Sequence, residues 1–311
     1  MAQPPQPVIR IGTRGSPLAL AQAAMVKAQL AAAHGLAEDT VAIVVIRTTG
    51  DAIQDRPLAD VGGKGLFTKE IEQALIDGAV DLAVHSAKDM VTVLPEGLVL
   101  AACLPREDAR DVFVSARAPS IAALPRGARL GTASLRRQAQ VKMLRPDLDV
   151  VPLRGNVETR LRKLEEGVAD ATILALAGLK RLGLAGRATA VLDPQEFLPA
   201  VGQGAIAVET RADDHRTRRL VAAIDDTPTL TAVTAERAFL AELDGSCRTP
   251  IAGHARIAGD TLSFRGLIAT PDGRRSFETT RQGAAADAAA LGADAGRELK
   301  ARGGAAFFAS L

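Results

Sequence analysis

The sequence predicts an α/β protein with two similar lobes and a small α+β domain near its C-terminal end. Over the first two thirds, short apolar runs alternate with segments of helical periodicity, a pattern typical of parallel sheets flanked by helices. The pattern starts again near residue 128, where "LGTASLRRQAQ" resembles the earlier "IGTRGSPLALAQ" in its order of Gly-Thr, Ser and helix. The last third changes to paired short strands with turn signals, which favours an antiparallel meander.

The first lobe shows clear start and stop signals. Ser16 is a suitable N-cap, Pro17 suits the first helical position, and Gly35 ends the same helix. We predict strands over 7–13, 40–50 and 80–87, and helices over 16–35 and 65–78.

The second lobe and the C-terminal part follow the same reasoning. We predict strands over 128–133, 149–155 and 170–178, and helices over 134–144 and 156–167. A helix over 231–243, a meander over 255–280 and an Ala-rich helix over 284–302 complete the chain. Residues 213–219, "DDHRTRR", are expected to be a linker.

Composition excludes several classes of protein. The 311 residues are 47% hydrophobic, enough for substantial cores, and the net charge of +2 argues against a dedicated nucleic-acid binder. Only 3% are aromatic, with no Trp or Tyr, so a base-stacking surface is not expected. We find no signal peptide, no long apolar run and no zinc-ligand spacing, and we therefore expect a cytoplasmic protein without a metal site.

Basic and hydroxyl side chains recur where strands run into helices. Ligands collect at these positions in open α/β sheets, because strand ends and helix N-termini point there. The chain places these residues there: Arg14, Ser16, Lys64, Ser86, Lys88, Thr132, Ser134, Arg136, Arg137, Arg154, Asn156, Arg160 and Arg181. Each alone is compatible with an ordinary surface residue. Together they predict a polyanionic ligand with several carboxylates, held between the two lobes.

Two further residues have chemical potential. Asp89 is the one acid among these bases, and it is either a satisfied turn residue or a carboxylate that stabilises a developing cation. Cys247 lies in "LDGSCRTP", where the neighbouring Arg248 favours the reactive thiolate. Cys103, in the apolar "LAACLP", is expected to be a buried small hydrophobe.

The same motifs carry a family resemblance. The chain resembles porphobilinogen deaminases over nearly its whole length, in "IGTRGSPLALAQ", "VGGKGLFTKEIE", "DLAVHSAKD", "GTASLRRQAQ", "LRGNVETRL", "LALAGLKRLGL", "LPAVGQGAIAVE" and "AERAFLAELDGSC". The resemblance implies two lobes like type II periplasmic binding proteins plus a small domain. It implies domain 1 over 1–104 and 200–222, domain 2 over 105–199, and domain 3 over 223–311.

The resemblance also implies a reaction. Four porphobilinogen molecules would be joined head to tail on a covalent dipyrromethane cofactor with loss of ammonia, and hydroxymethylbilane would then be released by hydrolysis. Cys247 matches the cofactor anchor and Asp89 the catalytic aspartate. The basic and hydroxyl residues named above match positions that hold the carboxylate arms, as does Gln203 of "LPAVGQG". Residues 47–63 resemble a loop over the cleft, and Phe67 beyond it would cover the pyrroles.

The departures from the family pattern are few. Asp60 stands where some members carry lysine, Val91 where proline is usual, Ala133 where serine is frequent, and Glu158 where a smaller residue is common. None removes a group that the chemistry requires.

Two other classes remain in competition with a monomeric enzyme. A non-catalytic anion-binding protein of the same two-lobe fold would need neither Asp89 nor the Cys247 turn. A transcriptional effector domain of similar fold would want a helix-turn-helix segment, which we do not find at either end.

Overall fold

The computed structural model describes residues 9–52, 65–243 and 249–309 of the chain. These residues form two compact units. The first contains residues 9–52, 65–106 and 205–230, and the second contains 107–204, 231–243 and 249–309. No helix among the described residues has both the length and the apolar character needed to span a bilayer.

The first unit is built on a five-stranded mixed sheet, with strands numbered in chain order. Its strands are β1 (Ile9–Thr13), β2 (Val41–Val45), β3 (Leu82–Ser86), β4 (Leu98–Cys103) and β10 (Ile206–Arg211). Their order is β2-β1-β3-β10-β4, in which β1 is parallel to β2 and β3, and β10 is antiparallel to both its neighbours. Its helices are α1 (Pro17–His34), α2 (Thr49–Ala52), α3 (Lys69–Ile76) and α7 (His215–Ala222).

Helix α1 confirms the predicted capping signals. The Ser16 Oγ accepts a hydrogen bond from the Ala19 N–H at 3.3 Å, and Pro17 occupies the first helical position. Gly35 closes the helix with a φ of 60°, a left-handed conformation that glycine adopts at little cost. This helix therefore begins immediately after β1 and fixes the turn that carries Arg14.

The second unit contains a sheet of the same design. Its strands are β5 (Asp111–Val114), β6 (Arg129–Gly131), β7 (Asp149–Val151), β8 (Ala171–Ala175) and β9 (Ala190–Val191). The order β7-β6-β8-β5-β9 again has three parallel strands followed by antiparallel pairings. Its helices are α4 (Leu135–Leu144), α5 (Val157–Glu165) and α6 (Leu176–Arg181).

The C-terminal part of the second unit is a three-stranded antiparallel meander with two helices. It comprises α8 (Thr227–Glu242), whose first four residues belong to the first unit, β11 (Ile251–Ala258), β12 (Thr261–Ala269), β13 (Ser276–Ala284) and α9 (Ala288–Phe308). Phe239 of α8 and Leu299 of α9 are buried with Phe264 of β12 in a separate hydrophobic cluster. The predicted α/β class is confirmed, with two sheet-and-helix lobes and a small C-terminal α+β part.

Several predicted elements need correction. Residues 213–219 are not a linker, because Asp214 caps α7 by accepting from the Thr217 N–H at 2.9 Å. The Ala-rich helix begins at Ala288 and ends at Phe308 rather than spanning 284–302. Strands β4, β5, β9 and β10 were not predicted, although β10 joins the first sheet through both its edges.

Candidate functional site

A small cavity in the first unit lies where β3 ends. Strand β3 runs into a single 3₁₀ turn, Ala87–Asp89, which leaves Asp89 exposed and Ser86 half-buried. The cavity has a volume of about 50 Å³, and the predicted residues Arg14, Ser16 and Phe67 line it together with Ser86 and Asp89. The fold thus brings five of the predicted site residues to one place.

The Arg14 guanidinium lies against an aromatic ring. Its central carbon is 4.1 Å from the centre of the Phe67 ring, a cation–π contact that orients both side chains. Because both residues line the cavity, the cation and the apolar ring face the same ligand space as Asp89.

Ser86 is held by a glutamine that the sequence analysis missed. The Gln22 amide donates to Ser86 Oγ at 2.9 Å, and the Ser86 hydroxyl lies 3.1 Å from the Gln22 carbonyl oxygen. Gln22 is buried on the face of α1 that otherwise packs on the sheet. The available signal was a polar residue at helical spacing from Ala19, Ala23 and Val26, which form the buried face of this helix.

The chain on either side of residues 53–64 is tied together. The Gly50 N–H donates to the Leu66 carbonyl at 2.8 Å, and the Thr49 N–H donates to Glu70 Oε1 at 2.9 Å. Lys64, a predicted anion ligand, and most of the predicted loop over 47–63 lie outside the described residues.

The second unit gathers its predicted cations around one carboxylate. Arg136 Nη2 donates to Asp111 Oδ2 at 2.7 Å, and Arg137 Nη2 donates to Asp111 Oδ1 at 2.7 Å. The Gln203 amide donates to the same Oδ1 at 3.0 Å, and Arg136 also donates to the Leu198 carbonyl at 2.7 Å. Arg136, Arg137 and Gln203 therefore lie together, with Asp111 as a partner that sequence reasoning missed.

Burial and charge act in opposite directions on this cluster. Asp111 is fully buried, which alone would raise its pKa, but Arg136 and Arg137 hold that pKa at about 2. Burial lowers the pKa of Arg136, and Asp111 opposes that effect. Two guanidinium groups share one carboxylate, so the cluster carries a net charge of about +1 when all three groups are ionised.

Ser134 and Asn156 both cap helices in the second unit. The Ser134 Oγ accepts from the Arg137 N–H at 3.4 Å and Asn156 Oδ1 accepts from the Thr159 N–H at 2.8 Å. Thr132 Oγ1 accepts from the Ser134 N–H at 3.1 Å, so Thr132 orders the turn before α4. These side chains fix the two strand-to-helix turns that the sequence singled out.

Three further predicted cations lie in the second unit. The Arg160 Nε donates to the Gly155 carbonyl at 2.8 Å, and Arg154 is half-buried in the same turn. Arg181 Nη2 donates to the Gly204 carbonyl at 2.6 Å, and burial lowers its pKa although Glu107 opposes the effect. Half-buried cations of this kind favour an anionic partner.

The structure describes only one of the two cysteines. Cys103 is fully buried on β4, as predicted. Cys247, the predicted cofactor anchor, lies outside the described residues. Lys88 is half-buried in the turn before Asp89.

Comparisons with known protein families match most of the chain. Residues 9–219 match the family described as "Porphobilinogen deaminase, dipyromethane cofactor binding domain". Residues 230–301 match "Porphobilinogen deaminase, C-terminal domain". The first match alone covers more than half of the chain.

Individual relatives agree with the family matches. A porphobilinogen deaminase of Nitrobacter hamburgensis is 65% identical over 96% of this chain and 94% of its own length. A porphobilinogen deaminase of Paracoccus denitrificans is 59% identical over 98% of this chain and 97% of its own length. A solved periplasmic substrate-binding protein of a Coxiella burnetii ABC transporter is 17% identical, with a TM-score of 0.43 over 74% of this chain and 97% of its own. The chain therefore belongs to the porphobilinogen deaminase family, transferases that assemble porphobilinogen on a dipyrromethane cofactor.

Proposed function

We propose that Asp89 is the catalytic carboxylate of this transferase and that Cys247 anchors its dipyrromethane. The observation that carries the first assignment is the position of Asp89, exposed at the end of β3 in a cavity that Arg14 and two serines also line. The Cys247 assignment is supported by its place in "LDGSCRTP", beside Arg248 and within the matching sequence pattern.

The donors around the cavity suit the cofactor. Its pyrrole units carry carboxylate arms and would supply the primer to which each new unit is added. Arginine binds carboxylates through its planar fork, and Arg14 with Ser16 and Ser86 offers such donors beside Asp89. A cavity of about 50 Å³ has room for roughly three or four water-sized groups, which suits one acetate-sized arm.

Asp89 has two tasks in this proposal. When porphobilinogen loses ammonia, the C–N bond breaks and the remaining pyrrole becomes electron-poor and cationic. The Asp89 carboxylate stabilises that cation electrostatically. The same carboxylate would also accept the proton that is released once the new C–C bond has formed, and it would pass that proton to solvent.

The remaining predicted residues would bind the growing chain. Each porphobilinogen brings two carboxylates, so the demand for cations rises with every unit added. The net positive charge of the Asp111 cluster supports anion binding by Arg136 and Arg137. We assign the same task to the other predicted cations, Lys64, Lys88, Arg154, Arg160 and Arg181, and we assign hydrogen bonds to the neutral polar residues Thr132, Ser134, Asn156 and Gln203. Phe67 would cover the pyrroles.

We further propose three domains, over 1–104 with 200–222, over 105–199, and over 223–311. The separate hydrophobic cluster beneath the C-terminal meander supports the third. A cytoplasmic, monomeric enzyme that binds neither nucleic acid nor membrane fits the family's small-molecule reaction. Light scattering coupled to size-exclusion chromatography tests the monomeric state, because a measured molar mass equal to two chains would contradict it.

The Asp89→Asn variant tests the catalytic assignment. Replacing a general acid or base typically costs roughly 10²–10⁴-fold, and we expect a loss of that order in porphobilinogen consumption with the cofactor still attached. Asp260→Asn, an exposed turn residue between β11 and β12, is the matched control and should retain wild-type turnover.

Unchanged turnover in Asp89→Asn would remove this residue from the mechanism. Failure of the wild-type holoprotein to consume porphobilinogen would favour the alternative, a non-catalytic anion-binding protein of the same fold.

A further inference from the structure

A cluster of three ionisable side chains is buried beside the Asp89 cavity. Glu72 of α3, His85 of β3 and Glu209 of β10 are 5%, 5% and 0% exposed. His85 Nε2 and Glu209 Oε2 are 3.1 Å apart. Glu209 and His85 lie on neighbouring antiparallel strands, and α3 packs against that sheet. We call these three residues the Glu72 cluster.

The cluster lies in an otherwise apolar layer. Ile71 and Leu75 of α3 and Ala83 of β3 are completely buried around it. Two carboxylates and a single imidazole in such a layer carry too much negative charge to be ionised together without a high cost.

The two carboxylates also have more acceptor oxygens than the surrounding described residues have donors for them. Oε1 of Glu72 and Oε1 of Glu209 are buried, and neither has a hydrogen-bond partner among the described residues. A carboxyl group that keeps its proton has no negative charge to desolvate and can donate a hydrogen bond.

The pKa of Glu72 is raised above the ordinary glutamate value. Burial raises its pKa first of all, and the charge of Glu209 raises it further, whereas Thr68 and His85 oppose the rise. Arg211, the next residue on the same face of β10, donates to the backbone carbonyls of Leu75 and Val80 and to Asp214. Its guanidinium is therefore engaged at the other end of α3.

The cluster is connected to the proposed catalytic site. His85 and Thr68 line the cavity that contains Asp89. The Glu72 N–H donates to the Thr68 carbonyl at 2.8 Å in the first turn of α3, and Phe67 immediately precedes that turn. A change at Glu72 therefore acts about one and a half helical turns from the ring that lies over Arg14.

We propose that Glu72, His85 and Glu209 are positioning residues for the reaction. A proton retained on Glu72 keeps the start of α3, with Phe67 and Thr68, packed against the Asp89 cavity, and we call this arrangement the seated state. This inference rests on the proposed role of Asp89 in turnover. The direction with pH follows from the raised pKa of Glu72: the seating is complete below the ordinary glutamate value of 4.5 and is lost as pH rises through the raised value.

Hydrogen exchange of the holoenzyme tests the seating without requiring turnover. After correction for intrinsic rates, wild-type exchange at residues 66–72 should quicken with rising pH, by at most about tenfold per pH unit for one proton. Glu72→Gln mimics the protonated carboxyl, so its exchange in this segment should stay slow and lose that pH dependence. Glu96→Gln, an exposed acid before β4, should behave as wild type.

The pH profile of kcat/KM for porphobilinogen is the second readout. Glu72→Gln should extend the alkaline side of the profile, whereas Glu72→Ala, which also removes the packing, should lower kcat/KM at every pH. A purely structural role would lower activity without moving the profile.

Three results would overturn the inference. One is wild-type exchange with no pH dependence beyond the intrinsic rate, and another is a Glu72→Gln variant that keeps the wild-type pH dependence. The third is failure of Glu72→Gln to fold, because a neutral side chain should stabilise the seated state. Normal turnover in Asp89→Asn would refute the catalytic assignment alone, because the exchange results do not depend on it.

Discussion

Replacing Asp111 by asparagine should destabilise the second unit strongly. Its carboxylate accepts from Arg136 and Arg137 at 2.7 Å each, and both arginine side chains are only 6% exposed. Asparagine keeps the size of the side chain but removes its charge, so two buried guanidinium groups lose their counter-ion.

The expected loss follows from that geometry. Removing one partner of a buried ion pair costs roughly 3–5 kcal/mol, because a buried charge is left uncompensated. For a unit of this size, a loss of this kind lowers Tm by roughly 6–20 °C.

Acidification should act on the same group. A pKa of about 2, compared with the ordinary 3.8, corresponds to roughly 2 kcal/mol in favour of the folded state. That contribution is present above pH 3.8 and is lost as pH falls through about 2, because the protonated carboxyl no longer pairs with the arginines. Asp111→Asn should lack this part of the acid dependence.

Urea unfolding between pH 2 and pH 7 measures both effects. Asp147→Asn is the matched control, since Arg145 also lowers the pKa of Asp147 to about 2, but this pair is 20% and 25% exposed and solvent screens it more than the buried Asp111 pair. A loss in Asp111→Asn no larger than in Asp147→Asn would refute the argument from burial.

Two glycine substitutions test close packing. A Cβ at Gly50 would overlap the Phe67 ring, so Gly50→Ala should displace that ring and lower kcat/KM for porphobilinogen with little loss of secondary structure by circular dichroism. A Cβ at Gly292 would overlap the Ala235 carbonyl oxygen, so Gly292→Ala should lower the free energy of unfolding by roughly 1–3 kcal/mol in urea. Gly186→Ala, where a Cβ meets open space, is the control for both, and equal behaviour of all three variants would contradict the packing argument.

Much of the fold is readable from the sequence because its signals are local. Ser16, Pro17 and Gly35 mark both ends of α1 through their own backbone chemistry, and the structure confirms them. Helix α7 was missed because its apolar residues, Leu220 and Val221, come only in its last turn and leave the earlier part looking like a polar linker.

The missed strands have a different cause. Strand β10 pairs with β3 and β4 across more than 100 residues of intervening chain, and periodicity carries no information on such pairing. Its short apolar run is equally compatible with a buried helix segment.

Part of the candidate site could be predicted from local sequence signals, and the rest depends on contacts between distant residues. Arg14, Ser16, Ser86 and Asp89 could be placed together because all follow strands that a parallel sheet brings to one edge. The partners that set their electrostatics could not be predicted. Asp111 meets Arg136 across 25 residues, and His85 meets Glu209 across 124, so only the folded chain shows these pairs.

The measurement that tests the central claim most directly is the intact mass of the purified protein, followed by peptide mapping of its two cysteines. The account predicts an excess equal to two porphobilinogen units less two ammonia molecules, located on Cys247, with the buried Cys103 unmodified. Cys247→Ser should show the mass of the bare chain. A wild-type chain that stays bare after incubation with porphobilinogen or preformed hydroxymethylbilane, or that carries the excess on Cys103, would contradict it.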